Sequence, residues 1–446
     1  MANSYLTRTP SSTGNRRKFT FSAWIKFNFN QLANNSRIFG CGSATSAWVS
    51  AYINADATLQ LAIVEGGNTY TIQTNRLFRD ESAWYHVVFV VDTENATADN
   101  RLRIYVNGQE ETSFAQRVNP TQNLDTQANT ASKPIDIGSA ENIGYTPRYF
   151  PGYMSHVAMV DGTVLTPTSF GETDSTSGIW KFKSPSGLSW GTNGFHLKFE
   201  NSGALGTDSS GQGNTFTVQG NLKQALDTPS NNHATINPLY KNSATYANGN
   251  LKSTNASNKF GGVATIGVST GKWYAEFKYG SNSNQYGAVG IYGDPEAASN
   301  GNQGVGKQSN SYSYRSDAYK LIENTDTSYG NSYGSGDIVG IALDLDNNKL
   351  YFSKNGTWQN SGDPTSGSTG TGAIPISLTS NTGFWFIAAN SNSASNTAVW
   401  EHNYGNGYFG TTAITSAGSN GNGSLFEYDV PTGYYALNTK NLNTYG

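Results

Sequence analysis

The sequence predicts an all-β protein: two antiparallel, jelly-roll-like β-sandwiches joined by a β-rich connector, with little or no helix. Three observations point there. Apolar and polar residues alternate with period two through segment after segment, the spacing that puts strand side chains on one face. Glycine and asparagine contribute 50 residues each, and both tolerate the positive φ of tight turns. No stretch shows three turns of helical apolar spacing.

The elements follow in order. Phe19 to Phe29 reads FTFSAWIKFNF, with Phe19, Phe21, Ala23, Ile25, Phe27 and Phe29 on one face. Shorter strands are expected at 48–53, 59–64 and 69–73. The run WYHVVFVVD (84–92) is apolar on both faces, as in a central sandwich strand. Leu102 to Val106 alternates again and stops at Asn107-Gly108, the dipeptide of a type I′ hairpin. GYMSHVAMV (152–160) closes the first series at Asp161-Gly162.

Between 173 and 254 the pattern weakens, but Trp180, Phe182, Trp190, Phe195, Leu197 and Phe199 are too many aromatic and apolar residues for a free linker. A second series begins near Val263 and includes KWYAEFKY (272–279), GAVGIYG (287–293), FWFIAA (384–389) and AVWEHNYG (398–405). Its clearest segment is DIVGIALDLDNNKLYFSKNG (337–356), where Ile341, Leu343 and Leu345 share a face and Asn347-Asn348 turns the chain. The two halves echo each other: a buried strand ends in Asp, turns, and returns as a strand closed by Asn-Gly. Asn-rich stretches at 118–133 and 299–311 read as loops. The expected division is a sandwich over 1–172, a connector over 173–254, a second sandwich over 255–410 and an extension over 411–446, Gly/Asn-rich with Tyr434 and Tyr435 near its end.

Composition excludes several classes. Only 13% of residues are charged and net charge is −3, against roughly 25% charged in an average soluble chain. Nothing here could neutralise a run of phosphates, so no nucleic-acid partner is expected. Aromatics at 13%, 26 of them tyrosine, argue against disorder. Cys41 is alone and cannot form an intramolecular disulfide. The start, MANSYLTRTPSSTGNRRKF, lacks the apolar core of a signal peptide. The longest apolar run, Tyr85 to Val91, falls far short of the ~20 residues of a membrane-spanning helix. The expectation is synthesis in a cytoplasm without membrane insertion.

Three resemblances add to this reading. Residues 1–170, through FTFSAWIKF (19–27), WYHVVFVVD (84–92), LRIYVNGQ (102–109) and FPGYMSHVAMVDGTVLTP (150–167), resemble the laminin G-like, concanavalin A-like family. His156 stands where such domains usually carry an acidic residue. Residues 255–410, through GKWYAEFKYG (271–280), GAVGIYGD (287–294), GDIVGIALDLDNNKLYFSKNG (336–356) and HNYGNGYF (402–409), resemble SPRY domains. That likeness implies a bent sandwich that binds partners through loops and has no catalytic activity. The segments 191–222, NNHATINPLY (231–240) and VPTGYYALNTKNL (430–442) are similar to stretches in virion proteins of marine tailed phages, where they link such modules in fibre and adhesin-type proteins.

The chemistry is sparse. Sandwich glycosidases set carboxylates at alternate positions of one strand, and their E-x-D-x-x-E pattern is absent; Glu172 and Asp174 come nearest without a third carboxylate. No catalytic residue is expected, and the chain is expected not to be an enzyme. Asp344 and Asp346 suggest a calcium loop, but Lys349 and Asn355 occupy the positions where an EF-hand needs Gly and Glu. No cofactor and no metal site is expected. Ca²⁺ is the one ion the laminin G-like resemblance leaves open, with Asp92 or Asp161 as ligands. Histidines 86, 156, 196, 233 and 402 show no ligand spacing, and Cys41 reads as a buried hydrophobe.

One constellation is a candidate for ligand or partner contact. Tyr312, Tyr314, Tyr319, Tyr329 and Tyr333 are spaced by Ser, Gly and Asn, the composition of antibody loops, where Tyr supplies amphipathic area at little entropic cost. The resemblance to virion proteins implies a phage virion protein, a fibre or appendage adhesin recognising a host-surface glycan through sandwich loops. Its partners would be other virion proteins and the host receptor, and the resemblance implies a homo-oligomer, a trimer in fibres. Two other readings stay open: a capsid-decorating or tail-bridging protein making protein contacts only, and a glycan depolymerase with carboxylates drawn from distant strands.

Overall fold

The computed structural model describes residues 4–28, 32, 35–144, 148–240, 244–256, 262–280, 286–295, 304–392 and 397–446. Phe29 and residues 299–303 of the expected loop lie outside them. The chain divides into two compact units, Met1–Gln224 and Ala225–Gly446. The stretch expected as a single connector is therefore shared between the units, and the C-terminal extension belongs to the second.

The first unit is a sandwich of two antiparallel sheets. One runs Phe114–Val118, Asn68–Leu77, Thr58–Glu65, Ala47–Ile53, Ser36–Ala44, Ile135–Ile137, Tyr5–Arg8, Thr217–Gln219 from edge to edge. The other runs Phe195–Leu197, Gly152–Asp161, Lys18–Phe27, Tyr85–Asp92, Leu102–Val106, Gln109–Glu110. Period-two alternation sends Phe19, Phe21, Ala23, Ile25 and Phe27 into the core between them. There Phe21 stacks on Phe39 of the opposite sheet at 4.2 Å between ring centres. Cys41 is fully buried in the same core. At Asn107-Gly108 both residues take positive φ, 48° and 82°, and Val106 pairs with Gln109, as the dipeptide predicts.

The outer face of the strand Lys18–Phe27 is buried as well. Residues from 170 onward lie over it. A hairpin of Gly171–Thr173 and Trp180–Phe182 brings the Trp180 indole over His86, and Trp180 Nε1 donates to His86 Nδ1 at 3.0 Å. His86 also stacks on Trp24 at 4.9 Å and bonds Ser22 Oγ at 2.9 Å. His156 sits at a register shift in its strand with φ 48° and stacks on Phe182 at 3.6 Å. His196 stacks on Trp190.

The second unit also packs two sheets. The smaller runs Ile236–Asn237, Val263–Ala264, Phe386–Ser391, Gly287–Tyr292, Ser311–Arg315, Tyr319–Ile322, Thr325–Ser328. The larger includes Ala244–Ala247, Lys252–Ala256, Thr397–Asn403, Lys272–Tyr279, Ile338–Asp344, Lys349–Lys354 and Thr357–Trp358 in that order. Aromatic rings fill the space between, among them Tyr314 against Phe352 at 5.6 Å and Tyr279 against Trp400 at 4.7 Å. The Asp344–Asn348 turn is held by protein donors. Asp344, fully buried, meets Lys272 Nζ at 2.9 Å and accepts from the Asn347 N–H, while Asp346 accepts from the Gly271 N–H.

The C-terminal extension completes this unit. Strand Tyr435–Ala436 pairs in parallel with Trp273 and Tyr274. It takes the edge of Lys272–Tyr279 that Thr397–Asn403, paired only with Glu276 to Tyr279, leaves open. Phe426, Val430, Tyr434 and Ala436 pack on Tyr274, Ala342 and Tyr351. A short helix, Thr439–Tyr445, ends the chain, capped by the Asn438 side chain accepting from the Asn441 N–H.

Candidate functional site

The tyrosine constellation is mostly interior, which corrects the expectation of a five-residue contact loop. Tyr312, Tyr314, Tyr329 and Tyr333 are buried, and of the five only Tyr319 is exposed, at 41%. Tyr312 and Tyr314 lie on the strand Ser311–Arg315, whose two faces are both covered. The Tyr312 hydroxyl accepts the N–H groups of Ser377 and Leu378 at 2.8 Å each. The Tyr314 hydroxyl donates to the Asn331 carbonyl. The Tyr333 hydroxyl reaches the carbonyls of Gly287 and Tyr314 at 2.8 and 3.0 Å. Tyr319 lies against the Arg315 guanidinium, 5.8 Å from its ring centre, and Asp317 and Asp326 hold that guanidinium.

An open groove of the second unit lies elsewhere. It has a volume of about 470 Å³ and is lined by Gly356, Trp358, Ser416, Ala417, Gly418, Glu427, Tyr428 and Asp429. One wall is the Asn355-Gly356 turn, with φ of 48° and 79°, which leads into Trp358. The other comes from two stretches of the C-terminal extension. Trp358 and Tyr428 are both half-buried. Trp358 has Tyr274 and Tyr351 edge-on behind it. The Tyr428 ring lies over Gly356, where a Cβ would come within 2.7 Å of it.

A buried carboxylate sets this wall. Glu276 is fully buried on the strand Lys272–Tyr279. Its oxygens accept the N–H groups of Glu427 and Tyr428 at 2.8 and 2.9 Å, and the Tyr274 hydroxyl at 3.0 Å. Burial pushes its pKa up to about 7, against the pull of these donors. The Gly418 N–H donates to the Phe426 carbonyl, and the Ser419 N–H to Asp429 at 2.6 Å. Glu427 accepts the N–H and hydroxyl of Thr415. Two half-exposed rings and the acidic residues Glu427 and Asp429 thus line one open volume, and among the described residues no basic one lines it.

Asp161, Glu172 and Asp174 are occupied by protein contacts, whereas the buried Asp92 has one oxygen, Oδ1, without a hydrogen-bond partner among the described residues. Asp161 accepts the N–H groups of Asn15 and Asn193 at 2.8 and 3.0 Å, donors that take the place a cation would need. Asp92 is buried, with one oxygen 3.4 Å from Asn95 Nδ2. Glu172 and Asp174 both face Lys181, and Asp174 is held well below its usual pKa, first by the Ser177 N–H. Among the described residues no three His, Cys, Asp or Glu side chains come together as a metal site. Trp358, Glu427, Tyr428 and Asp429 escaped the sequence reading. The one local signal was the FEYD stretch (426–429), aromatic and acidic side by side in an otherwise Gly/Asn-rich tail.

Comparison with known proteins supports the domain content. Residues 1–169 match the family model described as the concanavalin A-like lectin/glucanases superfamily, and residues 256–375 match that of the SPRY domain. The chain is therefore similar to a concanavalin A-like module over its first part and to a SPRY domain over residues 256–375. No curated protein matches the sequence. Among solved structures, it is similar to the SPRY domain of human HERC1 with 17% identity over 37% of this chain and 96% of that one, at a TM-score of 0.30. A heptameric SAP-like pentraxin from Limulus polyphemus shows 21% identity over 42% and 82% of the two chains, at a TM-score of 0.28. Laminin α1 domains LG4-5 from mouse show 10% identity over 90% and 78%, at a TM-score of 0.30.

Proposed function

We propose that this chain is a non-catalytic carbohydrate-binding protein that serves as a surface appendage of a tailed-phage virion and attaches it to a host glycan. The observation that carries the binding part is the groove of Trp358 and Tyr428. Aromatic faces stack on the C–H faces of sugar rings, while fixed carboxylate oxygens accept from ring hydroxyls, the pairing of apolar lining with a few placed polar groups that ligand sites use. Glu276 preorganises one wall, which lowers the ordering cost of binding. The match of residues 1–169 to a superfamily of lectins and glucanases supports the same ligand class. The virion setting is supported by the resemblance of 191–222, 231–240 and 430–442 to phage virion proteins, and such appendages work as homo-oligomers.

The test is a glycan array read with the whole chain and with Trp358→Ala. Binding of specific glycans that the variant loses supports the reading. An array on which no glycan binds above background refutes it. Incubation with the bound polysaccharide should release no new reducing ends. Immunogold labelling of phage particles that encode the chain should place it at a distal fibre tip; labelling at capsid vertices would favour a purely structural role.

A further inference from the structure

Resting on that carbohydrate reading, we infer that the groove selects a sugar bearing a free ammonium group, an amino sugar in its unacetylated form. The argument is electrostatic complementarity in a defined volume. Glu427 and Asp429 are the acidic residues that line the groove, and among the described residues no other that lines it carries a charge. Both are oriented by protein donors: Glu427 by Thr415, Asp429 by the Ser419 N–H. The Ser419 N–H also holds the Asp429 carboxyl below its usual pKa, so it is ionised at neutral pH.

The rings act in the same sense. Trp and Tyr faces carry a negative quadrupole that attracts an ammonium group as well as C–H bonds. A neutral sugar would satisfy the rings but give the carboxylates only hydroxyl donors. An N-acetylated sugar exchanges the cation for a neutral amide. A uronic or sulfated sugar would set a third negative charge against the existing two, which like-charge repulsion disfavours. Of the sugar classes, the ammonium-bearing ring alone matches rings and carboxylates together.

The experiment is calorimetric titration of the whole chain, at mildly acidic pH, with glucosamine tetrasaccharide, N-acetylglucosamine tetrasaccharide and galacturonic acid tetrasaccharide. The expected result is binding of the first about tenfold tighter than the second, weakening with added salt, and no binding of the third. Asp429→Asn keeps an acceptor for the Ser419 N–H, and Glu427→Gln keeps one of the two oxygens that Thr415 uses. These substitutions should erase the preference, weakening the glucosamine ligand about tenfold more than the N-acetylated one. Equal affinity for the two hexosamine ligands, or tighter binding of the N-acetylated or acidic one, overturns the ammonium assignment and leaves the carbohydrate reading standing. Failure of all three, together with an empty glycan array, overturns both.

Discussion

Replacing Glu276 by Gln separates the two opposing effects of its carboxylate. In the folded chain the carboxyl titrates near 7, and in the unfolded chain at about 4.5. The folded pKa is raised, so the folded state holds the proton more tightly and stability falls as pH rises from about 4.5 to about 7. A shift of that size corresponds to about 3 kcal/mol at 1.36 kcal/mol per pH unit. Glutamine carries no charge and removes this dependence. It also turns one acceptor into an NH₂ group facing the N–H of Glu427 or Tyr428, a clash of donors costing about 1–3 kcal/mol. At pH 5, where wild type is largely protonated, the variant should be the less stable; at pH 8 the gap should close or reverse. His402, buried and lowered to about 3, opposes Glu276 below pH 6.5 in both proteins, so the difference between them is the quantity to read. Hydrogen exchange of the Glu427 and Tyr428 amides, corrected for intrinsic rate, and urea unfolding at the two pH values measure it. A wild-type minus variant difference that does not change with pH would refute the titration of Glu276 as its cause.

Further expectations concern the core and the groove. Tyr314→Ala should destabilise the second unit by about 3–5 kcal/mol, as large aromatic deletions from a core do, whereas Tyr319→Ala should stay within about 0.5 kcal/mol; equilibrium unfolding distinguishes them. Gly356→Ala puts a Cβ 2.7 Å from the Tyr428 ring at a φ of 79°, so it should cost about 1 kcal/mol or more and weaken glycan binding by displacing Tyr428. Burial lowers His86 to about 3, His156 to about 4 and His196 to about 4. Their contribution is full above the unfolded pKa of about 6.5 and is lost as pH falls toward those values. The thermal transition of the first unit should therefore drop between pH 6.5 and 4, and less steeply in His86→Phe.

How much of this was legible beforehand depends on the range of the interaction. Alternation in FTFSAWIKF selects the inward face of a strand whatever its partners, because side-chain direction has a period of two. Asn107-Gly108 and Asn355-Gly356 close hairpins through their own φ preferences. Those local rules determined an all-β chain with two strand series. They did not tell which tyrosines are inside. Strand Ser311–Arg315 is buried on both faces, so neither parity marks an exposed residue, and only the loops that cover it decide.

The same holds for the connector, where Trp180 and Phe182 form the short strand the sequence suggests, and only the fold sets them against His86 and His156. The groove is the extreme case. Trp358 belongs to one turn-rich segment, and Glu427 and Asp429 to another far along the chain, neither with a periodicity of its own. What fixes the second is Glu276, on a distant strand. A buried carboxylate must find donors, and the backbone N–H groups of Glu427 and Tyr428 supply them. The sequence by itself determined where strands and turns form, since those preferences are local. Only the tertiary structure decided which faces are covered and where two rings meet two carboxylates, since burial is non-directional and long-range contacts satisfy it.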